Sequence, residues 1–262
     1  GFVRAMESRL PPSGEAFVFV HGYNTPHEAA VFRLAQMVMD SGLKAAPVAF
    51  TWPSRGDIRD YVTDRESIMA ARNRLSDMLE ALARSPKVRR INLFSHSMGT
   101  MLTVETLVRL KLAGNGELGG KLDTLVLASP DIDVDVFLSQ FEIIGKRPRP
   151  TVILISRDDR ALKVSRKIAG DVVRVGAASP NDPASVAAIR KFGFTVIDLT
   201  NVETDDRTNH TKFAASPQFL QQMGAHLSTG VAAGKNPVGS FITDTAGAIL
   251  DLPADLLRQV TN

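Results

Sequence analysis

The chain holds 262 residues, 44% of them hydrophobic and 23% charged, with a formal net charge of +3. That is enough apolar material for one sizeable core, and one large domain is the simplest organisation. There is no cysteine, which excludes disulfides, thiol catalysis and cysteine-based zinc sites. The basic residues are scattered. Their clusters at 87–90 and 146–149 are short and carry no interleaved aromatics, so nucleic acid is not an expected partner. No run approaches the ~18 apolar residues of a membrane-spanning helix, and no signal-peptide pattern is visible. The chain begins at Gly1 rather than methionine. The compartment is therefore left open: cell envelope or secreted if an upstream segment was removed, cytoplasmic otherwise. The oligomeric state is left open too.

"EAFVFV" (15–20) reads as a strand. "TPHE" (25–28) then reads as a capping box, with Thr25 as N-cap and Pro26 at the first helical position. The helix carries Val31, Leu34, Ala35, Val38 and Met39 as its apolar stripe and stops near Ser41 and Gly42. "APVAFTW" (46–52) is the next strand, followed by a polar stretch and a long helix over about 64–84 that presents Ile68, Leu75, Met78, Leu79 and Leu82. A strand over 88–95, a helix over 98–112, and strands over 122–129 and 151–156 come next, the last followed by a helix near 160–169. Residues 170–193 read as an excursion with Pro180 and Pro183. A strand over 194–200 and a helix over 216–228 close the regular pattern. Residues 230–262 form an extension, a packing helix or lid rather than a second domain, beyond a domain spanning 1–229. Alternating strands and helices imply an α/β fold, a mostly parallel central sheet with helices on both faces.

"SHSMG" (95–99) lies between a predicted strand and a predicted helix. A serine at such a strand–turn–helix elbow is strained and exposed for attack, provided the residues two before and two after are small. Gly99 meets this demand, and Ser95 stands where the G-x-S-x-G pattern has glycine. Ser97 is thus the candidate nucleophile. Ser95, on the strand, is expected to be buried. A serine needs a base, and the base an orienting acid. Of the five histidines, His210 follows the last strand in a loop, where the base belongs. His96 is expected to point away from Ser97 and to shape the elbow. His27 and His226 are expected at the surface. The acid is expected at a strand end between Ser97 and His210. Asp158 and Asp159 qualify after the strand 151–156, and Asp131 and Asp133 after the preceding one; each is equally suited to capping a helix or turning a loop.

The oxyanion of acyl transfer needs backbone N–H donors. Met98, following the nucleophile, supplies one. Tyr23, in "VHGYN" (20–24) after the first strand, supplies the other, with Gly22 allowing close approach. Gly22, Asn24, Trp52 and Tyr61 are candidates for the substrate pocket, Trp52 being as well suited to the core. The histidines lack metal-ligand spacing and no HExxH occurs, so neither metal nor cofactor is expected; "GKNPVGS" (234–240) lacks the ending of a phosphate loop.

The stretches "FVHGYNT", "FTWPSRG", "YVTDRES", "FSHSMG", "ASPDID", "SRDDRALKVSR" and "NHTKFAASP" span about 17–220. In order and spacing they resemble the α/β-hydrolase superfamily, and within it an uncharacterised bacterial esterase/lipase-like family. The resemblance implies Ser97 as nucleophile, His210 as base, the Gly22–Tyr23 loop in the oxyanion hole, and Asp159 as the acid. It departs at Thr211 and Lys212, where an aromatic-containing stretch is usual, and beyond 230. The expected activity is ester hydrolysis by a serine carboxylesterase or lipase acting on a small-molecule or lipid ester. Thioesterase, acyltransferase or amidase chemistry on the same residues, or an idle fold serving as an envelope or partner-binding module, are the alternatives.

Overall fold

A computed structural model describes residues 1–55 and 60–229. The readings of 230–262 as lid or packing helix lie outside the described residues.

Six parallel strands form one sheet in the order β2-β1-β3-β4-β5-β6. They are β1 Glu15–Val20, β2 Ala46–Phe50, β3 Arg90–His96, β4 Leu122–Ala128, β5 Thr151–Ile155 and β6 Phe194–Asp198. Parallel neighbours need crossovers, and helices supply them. In chain order the helices are α1 Phe2–Glu7, α2 His27–Ser41, α3 Tyr61–Arg84, α4 Met98–Leu112, α5 Val134–Ile144, α6 Arg160–Ile168, α7 Pro183–Phe192, α8 Lys212–Ala215 and α9 Pro217–Thr229. One face of the sheet packs Val18, Leu93 and Leu125 with residues of α3, α4 and α5. The other packs Phe17, Phe19 and Phe94 with residues of α2, α8 and α9. Burial on both faces accounts for the apolar run Ala16–Val20 of β1; Glu15 at its start is buried too and pairs with Arg90.

β1 is followed by β2 on one side of it and, after α3, by β3 on the other. The chain reverses its direction of progress between β1 and β3. Loops leaving neighbouring strand ends at such a point diverge to opposite faces and open a crevice at the carboxyl edge of the sheet. The loops bearing Gly22 and Ser97 leave the sheet there.

Several sequence expectations need correction. The helix after β1 starts at His27 with Pro26 as N-cap residue and no side-chain cap bond. Thr25 Oγ1 instead donates to Tyr23 O at 3.0 Å. The buried stripe of α2 is Ala30, Leu34, Met37 and Ser41, while Val31 and Met39 are exposed. The excursion at 170–193 contains α7, entered at Asp182-Pro183. α1, α5 and α8 join the elements anticipated from sequence.

Gly99, in the first turn of α4, packs against the end of β1. A Cβ there would lie 2.2 Å from His21 O and 2.8 Å from Val20 O, both backbone atoms that no rotamer change can move. Gly99→Ala is expected to force α4 off β1 and cost on the order of 3 kcal/mol, read as a lowered midpoint in urea denaturation.

Candidate active site

Ser97 joins β3 to α4 with φ 52° and ψ −126°. A side-chain-bearing residue holds that conformation only where its surroundings over-determine it, at a cost of roughly 1–3 kcal/mol. Both of its peptide groups are fixed. Ser97 N donates to Ala128 O at 2.9 Å. Ser97 O accepts from Thr100 N at 2.9 Å, Thr100 Oγ1 at 2.6 Å and Asp131 N at 3.4 Å. Ser95 is fully buried, its Oγ donating to Val126 O. Met98 is the first helical residue of α4, a position whose N–H has no acceptor within the helix and carries the positive end of its dipole.

The loop after β1 lies against this elbow. A Cβ on Gly22 would sit 2.8 Å from Ser97 Cβ and 3.1 Å from His96 Nδ1, so only glycine fits. His21 is buried and fixes the loop's backbone. Trp52 N donates to His21 Nε2 at 3.1 Å, so Nε2 is bare and the ring proton resides on Nδ1, which donates to Gly22 O at 2.8 Å. Burial also holds the His21 imidazole below its ordinary pKa. In a trans peptide the carbonyl and the following N–H point in opposite directions. Holding Gly22 O toward His21 therefore turns Tyr23 N–H away from it. Trp52 stacks on His21 with centroids 5.2 Å apart and 3° between planes, and donates its indole N–H to His21 O. Trp52 is buried; it backs the loop as part of the core. Asn24 is exposed, with φ 52°. Tyr61, also buried, sets its ring edge-on to Tyr23 at 5.5 Å.

His210 and Asp159 come together. His210 Nδ1 donates to Asp159 Oδ2 at 2.7 Å. The other carboxylate oxygen, Oδ1, accepts from Leu162 N at 2.9 Å as the N-cap of α6. Burial works against charging His210, but the bond and charge of fully buried Asp159 outweigh it and raise the imidazole above its ordinary value. The His210 ring lies 4.6 Å from the His96 ring. His96 Nε2 donates to His210 O at 3.2 Å, and Ser129 Oγ donates to the same carbonyl at 3.3 Å. His96 therefore leans on His210, between it and Gly22. Burial, reinforced by the facing His210, holds it well below its ordinary pKa, so it serves as a neutral wedge.

The remaining acids have other partners. Asp133 Oδ1 caps α5 through Val136 N at 2.9 Å. Asp131 pairs with Tyr61 and Arg174. Asp158 accepts from Lys212 Nζ and Asn209 Nδ2, both at 2.9 Å. Burial pushes its carboxyl up, but bonds from Ser156 and Lys212 outweigh that and hold it below the ordinary range. Lys212 also donates to Leu199 O and Thr200 O. The departure at Lys212 thus ties together the loops after β5 and β6. His27 is exposed, and the side chain of His226 lies outside the described residues. Among the described residues, no group of three or more His, Cys, Asp or Glu is placed to hold a metal ion. No helix among them is long and apolar enough to cross a membrane.

Sequence reasoning missed Asp206. Its Oδ2 accepts from His210 N at 2.9 Å, Thr211 N at 2.8 Å and Thr211 Oγ1 at 2.9 Å, and its Oδ1 from Thr208 N and Oγ1. Burial is outweighed by these donors, and the carboxyl is held far below its ordinary range. The signal was present in "DRTNHT": an Asp with Thr two residues on favours a side-chain-closed turn.

A parallel sheet with a serine elbow at its switch point and a His–Asp pair at later strand ends defines the α/β-hydrolase class. The sequence matches, over residues 4–226, the family described as "Alpha/beta hydrolase of unknown function (DUF900)", and the chain belongs to that family. A comparison with curated proteins finds no match. Among solved structures, the chain is similar to an esterase of Pyrobaculum calidifontis (12% identity, 84% of this chain and 77% of that one, TM-score 0.49). It is similar also to an esterase of Pyrococcus furiosus (15% identity, 84% and 83%, TM-score 0.49). A third likeness is to a lipase-esterase related protein of Clostridium acetobutylicum (9% identity, 83% and 95%, TM-score 0.44).

Asp206→Ala is expected to free the amides of His210 and Thr211 while leaving the sheet intact. Hydrogen exchange should then speed up selectively in peptides covering 206–212, with β3 and β4 unchanged.

Proposed function

We propose that the protein is a serine hydrolase that cleaves carboxylic esters through an acyl-enzyme. Two observations support this reading: the buried Asp159–His210 bond at 2.7 Å, and a serine held at positive φ in the elbow between β3 and α4. A carboxylate there serves little purpose in a surface histidine; it keeps the Nδ1–H tautomer, leaving Nε2 free to accept a proton.

In this reaction Ser97 Oγ attacks the ester carbonyl as its proton passes to His210 Nε2. The charge that develops on the carbonyl oxygen is met by the N–H groups of Tyr23 and Met98, both set before substrate arrives. Collapse expels the alcohol, which takes the proton from His210. Water then attacks the acyl-serine by the same route, restoring Ser97. Asp159 stays ionised throughout and stabilises the imidazolium. Its place at the N-terminus of α6, where Leu162 N–H and the helix dipole favour the anion, suits that role.

Wild type is expected to label with a fluorophosphonate probe and to turn over p-nitrophenyl esters, and Ser97→Ala and His210→Ala to do neither. Wild type that neither labels nor turns over would leave the fold as a binding module. Asp159→Asn is expected to lower kcat by on the order of 10⁴, measured on the same ester.

The pH dependence has a definite sign. The base acts only when unprotonated, and its pKa is raised above 6.5. Turnover should therefore fall as pH drops through a point above 6.5, the acid limb of a kcat/KM profile. Asp159→Asn removes the main cause of the raised value, so its residual activity should persist to lower pH.

A further inference from the structure

Asp131 was a candidate acid by sequence, and it is one of the most heavily engaged carboxylates in the protein. It lies just beyond the end of β4, buried. Tyr61 Oη donates to Asp131 Oδ2 at 3.0 Å, and Ser165 Oγ donates to Oδ1. The two hydroxyls are themselves 2.8 Å apart. Arg174 Nε stands 3.3 Å from Oδ1, and its buried guanidinium balances the buried negative charge. The Asp131 backbone N–H faces Ser97 O at 3.4 Å.

Each of these partners belongs to a different part of the site. Tyr61 opens α3 and presses its ring edge on Tyr23, in the loop against Ser97. Ser165 lies on α6, the helix that Asp159 caps. Ser97 is the elbow itself. One residue therefore links the loop after β1, through Tyr61, to the helix after β5 by its carboxylate and to the elbow after β3 by its backbone N–H. His21 and Trp52 hold the loop through its backbone, and the Tyr61 ring is a contact on the side-chain side of Tyr23.

We infer that Asp131 and Tyr61 are positioning residues, which hold the Tyr23 N–H in register with Ser97 without touching substrate or the base. The inference rests on the serine-hydrolase reading. Its physical basis is that donors must sit within a few tenths of an ångström of where the oxyanion forms, and Tyr23 is on a loop, which alone does not secure that. Removing the phenol hydroxyl lets the ring, and with it the loop, relax. The ground state binds as before, while the transition state loses part of its stabilisation.

The test compares Tyr61→Phe, Asp131→Asn and the double variant on a p-nitrophenyl ester, with rates taken per active site titrated by a fluorophosphonate so that unfolded protein does not count. Tyr61→Phe is expected to lower kcat about tenfold, a fraction of the ~10²–10³ lost when an oxyanion donor is deleted, with KM within about twofold. It keeps every charge, so the acid limb of kcat/KM should stay where wild type has it. The double variant should lose no more than the worse single one, because both act through one contact. Unchanged kcat in Tyr61→Phe overturns the inference, as does a change confined to KM, which would make Tyr61 a pocket wall. A loss in Asp131→Asn as large as that in Asp159→Asn overturns it too, by making Asp131 a partner of the base. Wild type without labelling or turnover instead overturns the hydrolase reading, and this inference with it.

Discussion

The arrangement depends on a single carboxylate with two obligations. Asp159 ends the loop after β5 by capping α6 with one oxygen and holds His210 with the other. A capping aspartate cannot rotate without leaving a buried helix N–H unpaired, at a cost of about 1–3 kcal/mol. The imidazole is thus oriented by an acid that is itself immobilised by the start of a helix. The next residue extends the lock: Arg160 N donates to Thr208 O at 2.8 Å, joining α6 directly to the turn that carries His210. Capping a helix and holding a histidine, which from spacing alone looked like alternative uses of an aspartate, are one role in this fold.

Two histidines packed ring against ring would repel if both were charged. The protein separates them electrically. His210 faces two carboxylates, Asp159 through its side chain and Asp206 through its backbone, and its proton affinity rises. His96 is buried against the His210 and Phe213 rings with no carboxylate bonded to it, and its affinity falls. The same logic recurs at His21, whose bare Nε2 accepts from a backbone N–H. One histidine is left free to ionise while the other two act as rigid polar spacers.

The strand–helix alternation was readable because β-rich apolar runs and 3.6-residue stripes differ in period, and α4 occupies the span expected of it, 98–112. Placement of Ser97, His210 and the acids at strand ends followed from the same alternation. What the sequence hid is tertiary. Thr25 serves a carbonyl rather than a helix end because Tyr23 O lies within its reach. α2 is rotated from its expected face because α9 covers Met37 rather than Met39. The excursion at 170–193 looked irregular because its two prolines mask a helix that starts at the second. Nothing local distinguishes Asp158 from Asp159; the choice is made by Lys212 and Asn209, more than fifty residues away, which occupy the first and leave the second to His210.

The order of the strands has a kinetic consequence. The loop after β1, the elbow after β3, the cap after β5 and the turn after β6 are brought together only through parallel pairings, each closing a long stretch of chain. Contacts of that separation are the slow ones to form. β6 pairs at the far edge, and His210 follows it, so the bond between His210 and Asp159 depends on the pairing most remote from β1 as well as on those nearer the centre.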